Sequence, residues 1–131
     1  MALLIDTSVC IDIERATRSA SLLERTNQPI FLAAITASEL LHGVERADSV
    51  DRRARRAAFV ERILDVVPIL PFDLDVARVH AQIWATLVDR GEVIGSHDLM
   101  IAATAVCHDL SLLTNNGRDF RRGDGLSLES A

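Results

Sequence analysis

Lysine is missing from this chain: all 14 of its basic side chains are arginine. Genome composition alone can produce such a bias, yet arginine also offers forked contacts to phosphate that lysine lacks. Also absent is any apolar stretch near the roughly 18 residues that a membrane span needs. The N-terminus, Met-Ala-Leu-Leu-Ile-Asp, has no basic region and meets an acid at position 6, which argues against a signal peptide and for the cytoplasm. Cysteine is scarce. Cys10 and Cys107 lack metal-type spacing and read as two reduced core thiols. Aromatic residues are 4% of the chain, too few for a stacking platform of the kind single-stranded RNA binders use. Trp84, Phe31, Phe59 and Phe72 read as core or interface residues. There is no internal repeat and no low-complexity tract.

What is present is a chain of 131 residues, 49% hydrophobic, which suits one domain over 1–131 with a real core and excludes general disorder. The net charge of −5 weighs against a pure nucleic-acid-binding module, which would usually be basic. It does not weigh against an enzyme whose acids hold a metal, because the bound cation changes the local charge.

Short apolar runs alternate with amphipathic stretches. Ala2 to Ile5, Ile30 to Ala34, Val66 to Leu70 and Ser111 to Thr114 read as buried strands, with a last short one at Leu126 to Leu128. Pro68 marks the third run as an edge or a strand end. Helices are expected over residues 8–16, 19–25, 36–47, 51–64, 73–90 and 98–109. Asp73 and Asp75 favour the start of the fifth, and Gly91 ends it. Strand–helix alternation implies a parallel sheet covered on both faces, an α/β class with three layers, α/β/α, and four or five strands.

Four acids stand at places such a fold gathers. Asp6 follows the first run, Glu39 lies at a helix start after the second, Asp98 opens the last long helix, and Asp119 follows Leu112-Leu113-Thr114. Strand ends and helix starts share one edge of an α/β sheet, and ligands bind there. Crowded carboxylates repel unless a cation neutralises them, and an all-oxygen site suits Mg²⁺ or Mn²⁺. Each acid also has an ordinary explanation. Asp6 can be an N-cap, Glu39 has capping-box spacing from Thr36, Asp98 suits a helix dipole, and Asp119 suits a turn.

The segments Leu3-Leu4-Ile5-Asp6-Thr7-Ser8, Thr36-Ala37-Ser38-Glu39-Leu40, Asp98 to Ala105 and Leu113-Thr114-Asn115-Asn116-Gly117-Arg118-Asp119-Phe120, in this order, resemble the PIN-domain nucleases. More narrowly, the chain resembles the VapC-type ribonuclease toxins of toxin–antitoxin pairs, from Leu3 to about Leu128. The resemblance implies an α/β/α sandwich, an Mg²⁺-dependent acidic site in which Mn²⁺ can substitute, an RNA substrate, an antitoxin partner and a homodimer. It places Asp6, Glu39, Asp98 and Asp119 on the four acidic positions, and Thr7, Ser8, Thr114 and Asn116 on polar supporting ones. Asp6 and Asp98 would hold the ion directly. Glu39 and Asp119 would act through water, take a second ion or orient the nucleophile.

Arg118, Arg121 and Arg122 surround the fourth acid, where they suit contact with an RNA backbone or a solvated tail. The run Arg52, Arg53, Arg55 and Arg56 reads as an exposed helix face, or as a contact to RNA or an acidic partner. His97, beside Asp98, suits a loop or cap, or an approach to substrate. Rival readings remain. A phosphatase or phosphotransferase would use Asp6 as nucleophile, but a common version needs a second Asp two residues on, where this chain has Ser8. A non-enzymatic binding module would use the acids as caps. A flap-type DNA nuclease would need a longer chain.

Overall fold

The computed structural model describes residues 2–16, 28–120 and 126–130. The elements are β1 (Leu3–Ile5), α1 (Thr7–Ala16), β2 (Ile30–Ala33), α2 (Ala34–Glu45), α3 (Val50–Val66), β3 (Ile69–Leu70), α4 (Leu74–Asp89), α5 (Ser96–Cys107), β4 (Ser111–Thr114), α6 (Gly117–Phe120) and β5 (Ser127–Ser130). The helix expected over 19–25 lies outside the described residues.

All strand pairings are parallel, in the order β3-β2-β1-β4-β5. The chain therefore leaves β1 in both directions, toward β2 on one side and β4 on the other. In an open α/β sheet the crevice beyond the carboxyl ends of two such strands is where a ligand fits. Asp6 and Thr114 are the residues at those two ends.

Successive strand residues point to opposite faces, and both faces are apolar. Ile5, Leu32 and Leu113 pack on one face with Val9 and Ile13 of α1, Leu40 and Val44 of α2, and Val60 and Ile63 of α3. Leu4, Ala33 and Leu112 pack on the other with Ile101, Ala102 and Ala105 of α5 and with Phe120 of α6. The small residues of α5 let its axis lie close to the sheet. Helix α4 rests on the outside of α5, through Val76, Ile83 and Leu87 against Leu99 and Ala103. The three-layer α/β/α arrangement with a parallel sheet is the one the alternation implied.

Local boundaries differ where capping residues misled. Helix α2 begins at Ala34, two residues before Thr36, and its N-cap is Ala33, which has no side chain to cap with. Thr36 is buried instead, its Oγ1 without a partner among the described residues. Glu39 therefore sits in the second turn, and the capping-box explanation for it fails. Val66 finishes α3, so the third strand shrinks to Ile69–Leu70, at the sheet edge as Pro68 suggested. Asp73 is the N-cap of α4, its side chain accepting from the Val76 N–H.

The arginine run has internal work. Ser49 caps α3, and Arg52 pairs with Asp48 on the exposed face at 3.0 Å. Arg53 Nη2 donates to the Glu45 carbonyl at 3.0 Å and Arg56 Nη1 to the Gly43 carbonyl at 2.9 Å. The last carbonyls of a helix have no intrahelical donor, so a cation there satisfies both the hydrogen bond and the dipole. Arg56 also faces Glu14 of α1 at 3.4 Å, tying α1, α2 and α3 together.

Candidate active site

Asp6 is the best-held polar group on the carboxyl edge. The β1 strand ends at Ile5 and α1 starts at Thr7, so Asp6 is the hinge between them, and it is only 3% exposed. A charge buried this deeply is costly unless donors surround it. Its Oδ1 accepts from Ser8 Oγ at 2.6 Å and from the Val9 N–H at 3.1 Å. The bond to Val9 is the N-capping geometry expected of this residue. Its Oδ2 accepts from Thr114 Oγ1, across from the end of β4.

The two hydroxyls are themselves oriented. Ser8 Oγ accepts from the Asn115 N–H at 3.2 Å, and Thr114 Oγ1 accepts from the Asn116 N–H at 2.9 Å. Each hydroxyl has one proton; accepting an N–H on its lone pair leaves that proton to point at Asp6. Two successive backbone amides of the turn after β4 thus act, through two hydroxyls, on the two oxygens of one carboxylate. Asn116 enters through its backbone N–H, where a supporting polar position had been expected. Asn115 was not singled out in the sequence, and its side chain donates to Asp12 Oδ2 on α1.

Glu39 joins the same edge from α2. Its Oε1 accepts from Thr7 Oγ1 at 2.8 Å, and its Oε2 stands 3.7 Å from His97 Nδ1. Thr7 adjoins Asp6 and His97 adjoins Asp98, so the Glu39 carboxylate bridges the chain segments that carry the other two acids. His97 lies in the first turn of α5 rather than in a loop, with its side chain 56% exposed. Asp98, also in that turn, is half-buried and reaches back over Gly95: a Cβ built there would meet Asp98 Oδ2 at 3.5 Å. Asp119 lies in α6, a helix where a turn was expected, just beyond the end of β4; its side chain is outside the described residues. Arg118 is exposed on the same short helix, and Arg121 and Arg122 lie outside the described residues.

Among the described residues, no three acidic, histidine or cysteine side chains gather tightly enough to chelate an ion by themselves. The acids present nevertheless offer hard oxygens, and those of Asp6 and Glu39 are backed by hydroxyls. That set fits Mg²⁺ or Mn²⁺, since Mg²⁺ keeps several waters and is held through one or two carboxylates rather than by a closed cage. Burial, and then the negative charge of Asp6, push the nearby Cys10 thiol up to about 12, so it stays a protonated core group. Cys10 and Cys107 are both free thiols.

Residues 3–126 match the PIN domain family. The chain belongs to that family. Ribonuclease VapC1 of Rickettsia felis is 38% identical to this PIN domain over 128 residues, covering 98% of this chain and 95% of the relative. The crystal structure of VapBC2 from Rickettsia felis, bound to a DNA fragment from its promoter, shares the fold with a TM-score of 0.90 at 24% identity, covering 100% of this chain and 99% of the other. VapBC-5 from Mycobacterium tuberculosis, a member of the VapBC family of toxin–antitoxin systems, superposes with a TM-score of 0.76 at 32% identity, covering 99% and 98%. This PIN domain thus lies among the VapC ribonucleases, as the order of its four acidic segments suggested.

Proposed function

We propose that this chain is a metal-dependent endoribonuclease, the toxin of a toxin–antitoxin pair, in which Asp6, Glu39, Asp98 and Asp119 form the hydrolytic centre of one domain over 1–131. Family membership supports the nuclease chemistry. The observation that carries the assignment to this edge is Asp6: a buried carboxylate at the β1–β4 crevice, each of whose oxygens is held by an oriented hydroxyl. Asp6 and Asp98 are the ligands of a divalent ion, Mg²⁺ by donor type, with Mn²⁺ as its substitute. Such an ion, when bound, lowers the pKa of a water and offsets charge on the phosphate.

The chain's own part is positional. Ser8 and Thr114 fix both oxygens of Asp6 at the end of β1. Thr7 fixes Glu39, which orients the attacking water. Arg118, Arg121 and Arg122 meet backbone phosphates, giving affinity without sequence choice. The phosphotransferase reading is disfavoured, because its common version needs a second Asp two residues after Asp6, where this chain has Ser8.

An antitoxin segment fits a groove of about 190 Å³ that runs from Glu39 past Thr7, Ile11, Arg15 and Arg56. A homodimer is supported by α4, where Trp84 is 57% and Val88 64% exposed beside a hollow of about 410 Å³. A contiguous exposed apolar patch suits a protein–protein contact. Among the described residues no helix is long and apolar enough to cross a membrane.

RNA cleavage that stops with chelator and returns with Mg²⁺ or Mn²⁺ is the expected result. Asp6→Asn and Asp98→Asn are expected to abolish it while retaining the fold by circular dichroism. Retained cleavage in either variant would remove the metal role. Expression without a partner is expected to slow growth, and harmless expression of an active nuclease would count against the toxin role alone.

A further inference from the structure

The supports of Asp6 are unequal. On the Thr114 side, donor and acceptor belong to one continuous turn: Thr114 and the Asn116 N–H are two residues apart. On the Ser8 side, the Asn115 N–H must reach a hydroxyl on another element, 107 residues away in sequence, and its bond is the longer one at 3.2 Å. That backbone bond is supplemented by the side chain of Asn115, which donates to Asp12 Oδ2. Asp12 lies four residues after Ser8 on α1, one helical turn along the same face. Asn115 therefore grips α1 at two points, with its backbone on Ser8 and its side chain on Asp12.

We infer that Asp12 and Asn115 form a positioning pair that sets the Ser8 hydroxyl, and through it the Asp6 carboxylate, for the metal. This inference rests on the proposed metal role of Asp6. The relay reads Asp12, Asn115, Ser8, Asp6. With the Asp12–Asn115 bond intact, the Asn115 N–H occupies a Ser8 lone pair and the Ser8 proton is directed to Asp6 Oδ1. Without it, the Ser8 hydroxyl is free to rotate toward water, and Asp6 Oδ1 keeps, among the described residues, only the Val9 N–H. Both Asp12 and Asn115 are exposed, so neither contributes to the core, and their substitution leaves packing untouched. The pair is not an acid cluster offering a second metal site: one partner is a neutral amide acting as donor.

The test is Mn²⁺ binding to the RNA-free protein, followed by the electron spin resonance of the free ion, with the melting temperature measured alongside. Partners that orient a metal ligand directly are worth about 10- to 100-fold in affinity; one link further out, Asp12→Ala is expected to weaken Mn²⁺ binding by about fivefold. Asn115→Asp, which sets two carboxylates against each other, is expected to weaken it further. The exchange Asp12→Asn with Asn115→Asp reverses donor and acceptor, and is expected to bring binding back to within about twofold of the unsubstituted chain. A merely structural role would lower the melting temperature together with Mn²⁺ affinity, whereas the single variants are expected to lose affinity and still melt within a few degrees of the parent. Unchanged Mn²⁺ affinity in both single variants, or an exchange variant as weak as the singles, would overturn the pairing while leaving the metal reading in place. Absence of Mn²⁺ binding by the unsubstituted chain would overturn the metal reading and the pairing together.

Discussion

Replacing Thr114 with valine tests the machinery around Asp6 most directly. Valine keeps the branched shape, so Thr114→Val removes a hydroxyl and adds almost no strain. Two hydrogen bonds are lost: Thr114 Oγ1 to Asp6 Oδ2, and the Asn116 N–H to Thr114 Oγ1. The second is inexpensive, since Asn116 is exposed and its N–H turns to water. The first is not, because Asp6 and Thr114 are each 3% exposed and no water replaces the donor. A hydrogen bond to a charged group contributes about 1.5–3 kcal/mol, and an unpaired buried acceptor adds to its loss. The expected destabilisation is about 2–3 kcal/mol at neutral pH, measured in chelator so that no ion offsets it. In urea that moves the midpoint down by roughly 1–2 M with the slope unchanged. The same substitution in an Asp6→Asn background loses only a neutral bond and is expected to cost about 1 kcal/mol. The difference between the two backgrounds is the coupling. A cost below about 0.5 kcal/mol in the parent, or equal costs in both backgrounds, would refute the view that this hydroxyl stabilises a buried charge.

Other outcomes follow from the same structure. Phe120 is 0% exposed and anchors α6 against Leu4, Ile101 and Leu112, so Phe120→Ala is expected to cost about 3–5 kcal/mol in urea unfolding and to free the helix that carries Asp119. The Cys10 thiol has a folded pKa of about 12 against an ordinary value of 9.0, so the folded state holds its proton more tightly than the unfolded state. The resulting stability is fully present below pH 9 and is lost as pH rises toward 12, a span of about 4 kcal/mol at 1.36 kcal/mol per unit. Urea midpoints at rising pH are expected to fall more steeply in the parent than in Cys10→Ala, and parallel curves would contradict the burial argument. Arg56→Met keeps the aliphatic stem but removes the donor to Gly43 and the partner of Glu14, for an expected loss of about 1–2 kcal/mol by thermal unfolding.

Much of this fold can be read from local pattern. Leu3 to Ile5, Ile30 to Ala33 and Ser111 to Thr114 are short apolar runs, and such runs between amphipathic helices have few homes besides a parallel sheet. That pattern also puts Asp6, Glu39 and Asp98 on one edge, because a strand's end and the next helix's start share it. Ends of elements were harder. Thr36 has a capping side chain but is buried in α2, which starts on two alanines because the close of β2 delivers the chain there without help. Asn-Asn-Gly before α6 reads as a turn, and the short helix that follows is held by Phe120 rather than by propensity. The Arg53 and Arg56 bonds to α2, and the grip of Asn115 on Asp12, leave no trace in periodicity. They join exposed or half-buried polar residues whose neighbours are decided by helix packing.

The position of β1 in the middle of the sheet bears on when the surroundings of Asp6 are completed during synthesis. Strand β1 finds a neighbour in β2 early, but its other flank stays open until β4 emerges. Asp6 and Thr114 are 108 residues apart, so the supports of the carboxylate are complete only once β4 has been made. Pairings this distant also form late in folding, because the closure entropy must be overcome first. The polar setting of Asp6 therefore arrives with β4 rather than with β1 itself.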